Sequence, residues 1–136
     1  MAQRKITLIR QELPETSNIN DLIQWYGASL GLFSPRDKDS SCFRIFVVLL
    51  KDIEAGEDGL RSEVSAERTG LSRGTVVHHL NKLQDKGLVA QADNEYFIKV
   101  DNLNTLTSLI REEMNAALDN LERVADDIDD QLGLNP

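Results

Sequence analysis

Apolar residues recur at helical spacing along most of this chain, in blocks separated by glycine, proline and short polar runs. Ile19, Leu22, Ile23, Tyr26 and Leu30 share one side of a helix that Asn18 or Asn20 can cap, with Gly27 and Gly31 weakening its end. Gly31 to Asp39 reads as a loop. From Ser40 or Ser41 follows a block, Phe43, Ile45, Phe46, Val47, Val48, Leu49 and Leu50, that is apolar on nearly all sides. Such a helix sits at the centre of a core, and this one closes at Gly56. Ser62 caps a short helix, Glu63 to Thr69, in which Ser65 and Thr69 stand where larger apolar residues are expected, and Gly70 turns the chain.

Ser72 to Gly87 forms the next helix. Ser72 is a good N-cap, Gly87 a good stop, and Val76, Leu80 and Leu83 at i, i+4 and i+7 make one apolar stripe. The stripe faces a core, which leaves Gly74, His78, Asn81 and Lys82 outward, with Arg73 and Thr75 beside them in the first turn. Strand signals are short. Arg4 to Arg10 has partial alternation and predicts a strand ended before Pro14; Leu88 to Gln91 and Glu95 to Val100 predict two strands around a tight Asp93-Asn94 turn. From Asp101 to Leu132 there is neither proline nor glycine. Leu103, Leu106, Ile110, Met114, Ala117, Leu121, Val124 and Ile128 step by three and four, predicting a long helix whose seam pairs with a second copy. The alternative is a helix folded back on its own domain.

The order Gly70-Leu71-Ser72, Thr75-Val76, His79-Leu80, Leu83 and Gly87-Leu88-Val89 resembles the helix-turn-helix and wing of ArsR-like winged-helix transcriptional regulators. The resemblance is strongest over Glu63 to Val100. It implies a winged helix-turn-helix, a homodimer, and insertion of the Ser72 helix into the major groove of double-stranded DNA. The expected fold class is mainly α with a small β wing (α+β). Residues 1–38 form an N-terminal arm, 39–100 the winged-helix domain and 101–136 the dimerisation helix. On this reading Ser72, Arg73, Gly74, Thr75, His78, Asn81, Lys82 and Lys86 meet DNA, the last two at phosphate. The arm either packs across the dimer or covers the core helix.

Charge refines the picture. The net charge of -8 belongs mostly to the last segment: residues 101–136 hold two basic and nine acidic residues, residues 39–100 eight and ten, and residues 1–38 five and four. Within Ser72 to Gly87 Arg73, Lys82 and Lys86 outnumber Asp85, so a local basic face survives, though long-range steering toward DNA is poor. Asp126, Asp127, Asp129 and Asp130 lie mostly off the seam, on a solvated face; the sharper reading is that they repel DNA or bind a basic partner. Asp93 and Glu95 make the wing acidic, with only Lys99 near its base. That favours a second reading, a winged-helix scaffold that binds protein.

Other chemistries find little support. His78 and His79 are adjacent and point about 100° apart on a helix, so they do not chelate one ion as an i, i+4 pair would. His79 lies near the apolar stripe, as a packing or hydrogen-bonding residue. No CxC or CxxC pair exists for the metal sensing known in the resembled family, and Cys42, the single cysteine, lies in the most apolar helix as a buried thiol. With no phosphate loop, catalytic triad or carboxylate cluster, neither an enzyme nor a cofactor is expected. The longest apolar run, Ile45 to Leu50, is six residues, and the N-terminal stretch has no apolar segment of leader length. A cytoplasmic protein without a membrane span is the expectation.

Overall fold

A computed structural model describes residues 6–33, 41–56, 60–98 and 100–135. The chain divides into two compact units, Met1–Lys99 and Val100–Pro136. In the first, helices α1 (Ile19–Ser29), α2 (Ser41–Glu54), α3 (Ser62–Thr69) and α4 (Arg73–Asp85) accompany strands β1 (Leu60–Arg61), β2 (Val89–Ala92) and β3 (Glu95–Ile98). The second is one helix, α5 (Leu103–Leu132). A mainly α fold with a small β wing, the winged helix-turn-helix, is what the sequence predicts and what the structure has.

The core of the first unit is built around α2, whose Cys42, Ile45, Phe46, Val48 and Leu49 are buried. Arg44 and Lys51 stand exposed on one face, Glu54 is exposed at the end, and Asp52 is a buried carboxylate among the apolar residues. Helices α3 and α4 both pack on α2 and on each other. Ser65 explains how α3 fits there: it is fully buried, and its small side chain gives neighbouring helices room to approach. Thr69 also has a local task. Its hydroxyl donates to the Ser65 carbonyl at 2.6 Å and accepts from the Leu71 amide at 3.3 Å, tying off the end of α3 before the Gly70 turn.

The sheet is three-stranded, in the order β1-β3-β2, and antiparallel throughout. The hairpin was expected, starting one residue earlier and ending two later than observed; β1 was not. Two residues carry no periodicity, and β1 exists only because Leu60 and Arg61 lie opposite Tyr96 and Glu95. The turn residues Asp93 and Asn94 both have positive φ (51° and 66°), the type I′ geometry that matches strand twist.

The N-terminal strand is a correction. Residues 6–10 are not in a sheet, and Arg4 and Lys5 lie outside the described residues. Instead the arm is fastened along α1. Ile9 donates its amide to the Ser29 carbonyl at 2.8 Å, the Gln11 side-chain amide donates to Ser29 Oγ at 2.7 Å, and the Trp25 indole donates to the Glu12 carbonyl at 2.8 Å. A β-prone segment without a partner strand satisfies its backbone with whatever acceptors are near. Asn18, rather than Asn20, caps α1. The start of the expected loop is also different: Leu32 and Phe33 are core residues, and a Cβ on Gly27 would run into the Phe33 ring. The rest of that loop lies outside the described residues.

Helix α5 runs 30 residues, about 45 Å at 1.5 Å per residue. Asn102 caps it by accepting from the Thr105 amide at 2.8 Å, and Gly133, in the left-handed conformation, ends it. Leu106 and Ile110 are buried, whereas Leu121, Val124 and Ile128 are 65%, 56% and 49% exposed. Leu118 and Leu132 widen that exposed apolar stripe.

Candidate nucleic-acid interface

Helix α4 begins where Ser72, in extended conformation, accepts the Thr75 amide at 3.2 Å and donates its hydroxyl to Thr75 Oγ1 at 2.8 Å. It ends in a paired closure: the Leu88 amide donates to the Leu83 carbonyl at 3.1 Å and the Gly87 amide to the Gln84 carbonyl at 2.9 Å. Gly87, at φ 78°, permits the reversal, and buried Leu88 and Leu83 close it on the apolar side. Val76, Leu80 and Leu83 are the buried residues of the helix, the stripe that its spacing predicts. The buried side fixes the opposite side by geometry.

On that opposite side Ser72, Arg73, Gly74, His78, Asn81 and Lys82 are exposed, while Thr75 and Lys86 are half-buried. Gly74 is informative. A Cβ there would meet nothing within 4 Å, so its own fold does not require glycine, and the helix presents bare backbone outward in its first turn. Arg73 leans toward α3, with its Nε 3.5 Å from Ser62 Oγ.

Sequence reasoning did not place the wing beside this face. Ser62, Arg73, Val77, Gln91, Asp93, Asn94 and Tyr96 line one polar cleft of about 470 Å³ between the start of α4 and the hairpin. Gln91 and Asn94 therefore join the candidate contacts. The available signal was the hairpin register, which pairs Gln91 with Tyr96; what it lacked was the docking of the hairpin on α4. Asp93 brings a negative charge into the same cleft as Arg73.

His79 is half-buried, and its Nδ1 is enclosed without a hydrogen-bond partner. Burial lowers its pKa below the usual imidazole value, and neighbouring His78 and Lys82 lower it further. Folding therefore favours the neutral ring. A depressed folded pKa means that the unfolded chain binds the proton more readily, so stability contributed by neutral His79 is intact above the unfolded pKa of about 6.5 and is lost as pH falls below it. Urea midpoints should decline below about pH 6.5, and His79→Gln should flatten that decline; an unchanged pH profile in the variant would assign the effect to other groups. Cys42 is buried, and desolvation pushes its thiol up despite the partial opposing pull of Lys82 and Lys86.

These features define a class: a winged helix-turn-helix domain of the kind that binds DNA to regulate transcription. Residues 66–91 match the family model described as bacterial regulatory protein, arsR family. The matched span covers the second half of α3, the Gly70 turn, α4 and most of β2, so the helix-turn-helix is ArsR-like. Searches of curated proteins and of solved structures give no significant match. No helix among the described residues is long and apolar enough to cross a membrane.

Proposed function

We propose that this protein is a sequence-specific transcriptional regulator acting in the cytoplasm as a homodimer, with α4 in the DNA major groove. The observation that carries the reading is the outer face of α4: small, polar and flanked by cations, on a helix whose other side is locked into a core. Arg73 and Thr75 then serve at the helix start for base or phosphate contacts, His78 and Asn81 reach base edges, and Lys82 and Lys86 meet phosphate. The α5 seam pairs two copies, and a two-fold dimer of this kind sets the two α4 helices apart, ideally by one turn of DNA, about 34 Å.

A salt series on random duplex DNA tests the phosphate part. The wild type should show a log–log slope of several units, and Arg73→Ala/Lys82→Ala should lose both affinity and slope. No binding even at about 50 mM salt would remove the DNA reading. On a selected operator, Arg73→Ala should cost roughly 1–3 kcal/mol and relax sequence preference if the guanidinium reads guanine. A loss uniform across sequences would assign it to phosphate. Gly74→Ala should leave the urea midpoint unchanged or higher, since alanine is the better helix former, yet weaken operator binding where backbone meets DNA. Full operator affinity in that variant would place Gly74 away from DNA.

Asp93 at the wing tip favours a second reading, a winged-helix scaffold for protein. Its distinguishing result is capture of a partner by the wild type with no salt-dependent DNA binding.

A further inference from the structure

A groove of about 520 Å³ lies on the side of the first unit formed by α1, α2 and α3, lined by Asn20, Asp21, Gln24, Phe43, Arg44, Val47, Val48, Lys51, Arg68 and Thr69. That volume falls within the roughly 300–1,000 Å³ range of small-molecule sites. Its chemistry is divided. Phe43, Val47 and Val48 supply an apolar wall from α2, with Phe43 held edge-on against Phe33 at 5.7 Å between ring centroids. Arg44 and Lys51 come from the same helix seven residues apart, two turns on one face, and Arg68 approaches from the last turn of α3. Three cations stand against the one carboxylate of Asp21, which leaves a net charge of +2 for the lining.

We propose that this groove binds an organic monoanion with an apolar body, such as an aromatic or short acyl carboxylate. The apolar wall takes the body and the cations take the carboxylate. A polyphosphate fits less well, because three of the seven polar lining residues come from α1, where Asp21 repels it. Thr69 takes no part, since its hydroxyl is committed to the α3 terminus. A ligand held by Arg68 together with Arg44 or Lys51 ties α3, the first helix of the helix-turn-helix, to α2. It is thereby placed to alter DNA affinity. That consequence rests on the DNA-binding reading above; the binding step does not.

The probe is 1-naphthoate, titrated into the full-length, ¹⁵N-labelled protein, with neutral 1-naphthamide as its match in shape. Saturable amide shifts are expected in α1, α2 and the end of α3. Binding should weaken about tenfold or more both for naphthamide and in Arg44→Gln/Lys51→Gln, the cost of losing one charge-assisted hydrogen bond. Both substituted residues are exposed, so the variant's free spectrum should otherwise match the wild type. Equal binding of naphthamide, an unchanged affinity in the variant, shifts confined to the apolar residues of α5, or no shifts at all would overturn the site. Operator affinity measured with and without naphthoate then separates the two claims: a change in the wild type but not in the variant establishes regulation. Absence of DNA binding at low salt removes the DNA-binding reading while the naphthoate result stands.

Discussion

Leu121→Glu/Ile128→Glu is expected to turn the protein from a dimer into a monomer by light scattering, and to weaken binding to a two-half-site operator by roughly 10²–10⁴-fold, the factor that linking two sites supplies. The argument starts from exposure. Leu118, Leu121, Val124, Ile128 and Leu132 stand more or less open to solvent along one stripe of α5, and a soluble chain rarely leaves so contiguous an apolar surface without a partner. In the proposed dimer a second α5 would cover it without any new element. Two glutamates in the middle of the seam must either be buried unpaired, costing several kcal/mol, or hold the helices apart. Glutamate is a good helix former, so propensity alone does not melt the segment. Released from its partner, the exposed half of α5 is nonetheless marginal on its own, and far-UV dichroism should fall modestly. A wild-type mass of one chain at micromolar concentration, or a variant that stays dimeric, would reject α5 as the interface.

Leu80→Ala should cost about 2–5 kcal/mol of stability by urea denaturation, the range for removing a buried leucine and leaving a cavity. Leu80 is fully buried in the middle of the α4 stripe, between Val76 and Leu83, and α4 in turn packs on α2, α3 and β2. Small domains hold only about 5–15 kcal/mol in total, so the loss is a large share. Lys82→Ala, two residues on but exposed, should move the midpoint by no more than about 0.5 kcal/mol while weakening DNA binding. The pair separates the two faces of one helix. A Leu80→Ala change below about 1 kcal/mol would mean that the site collapses to fill the cavity.

Much of the candidate interface was legible because its signals are local. Ser72 and Gly87 bracket α4 through bonds to residues three to five positions away, and the Val76–Leu80–Leu83 spacing names the buried side without reference to anything else. The Asp93-Asn94 turn is similarly self-contained, since positive φ at both positions is a property of those residues. The arm failed for the converse reason. Its β-branched residues suit a strand, but a strand requires a partner, and the nearest acceptor is the Ser29 carbonyl at the end of α1. Ser65 looked like a weak residue for a core helix, and becomes intelligible only among the helices that crowd it.

What the sequence by itself determined is the set of helices, the capped ends of α4, the hairpin and the side of α4 that turns inward. These follow from side-chain size, hydrogen-bonding groups within a few residues, and hydrophobic period. On α1 the expected apolar side leaves Ile19 and Leu22 exposed and buries Gly27 and Ala28 instead. Only the tertiary structure decided that β1 joins the sheet, that the arm lies along α1, that Gln91 and Asn94 share a cleft with Arg73, and that Arg44, Lys51 and Arg68 line one groove. Each of those joins residues from separate elements. Such pairings are chosen by how whole elements pack, and no window of neighbouring residues contains that choice.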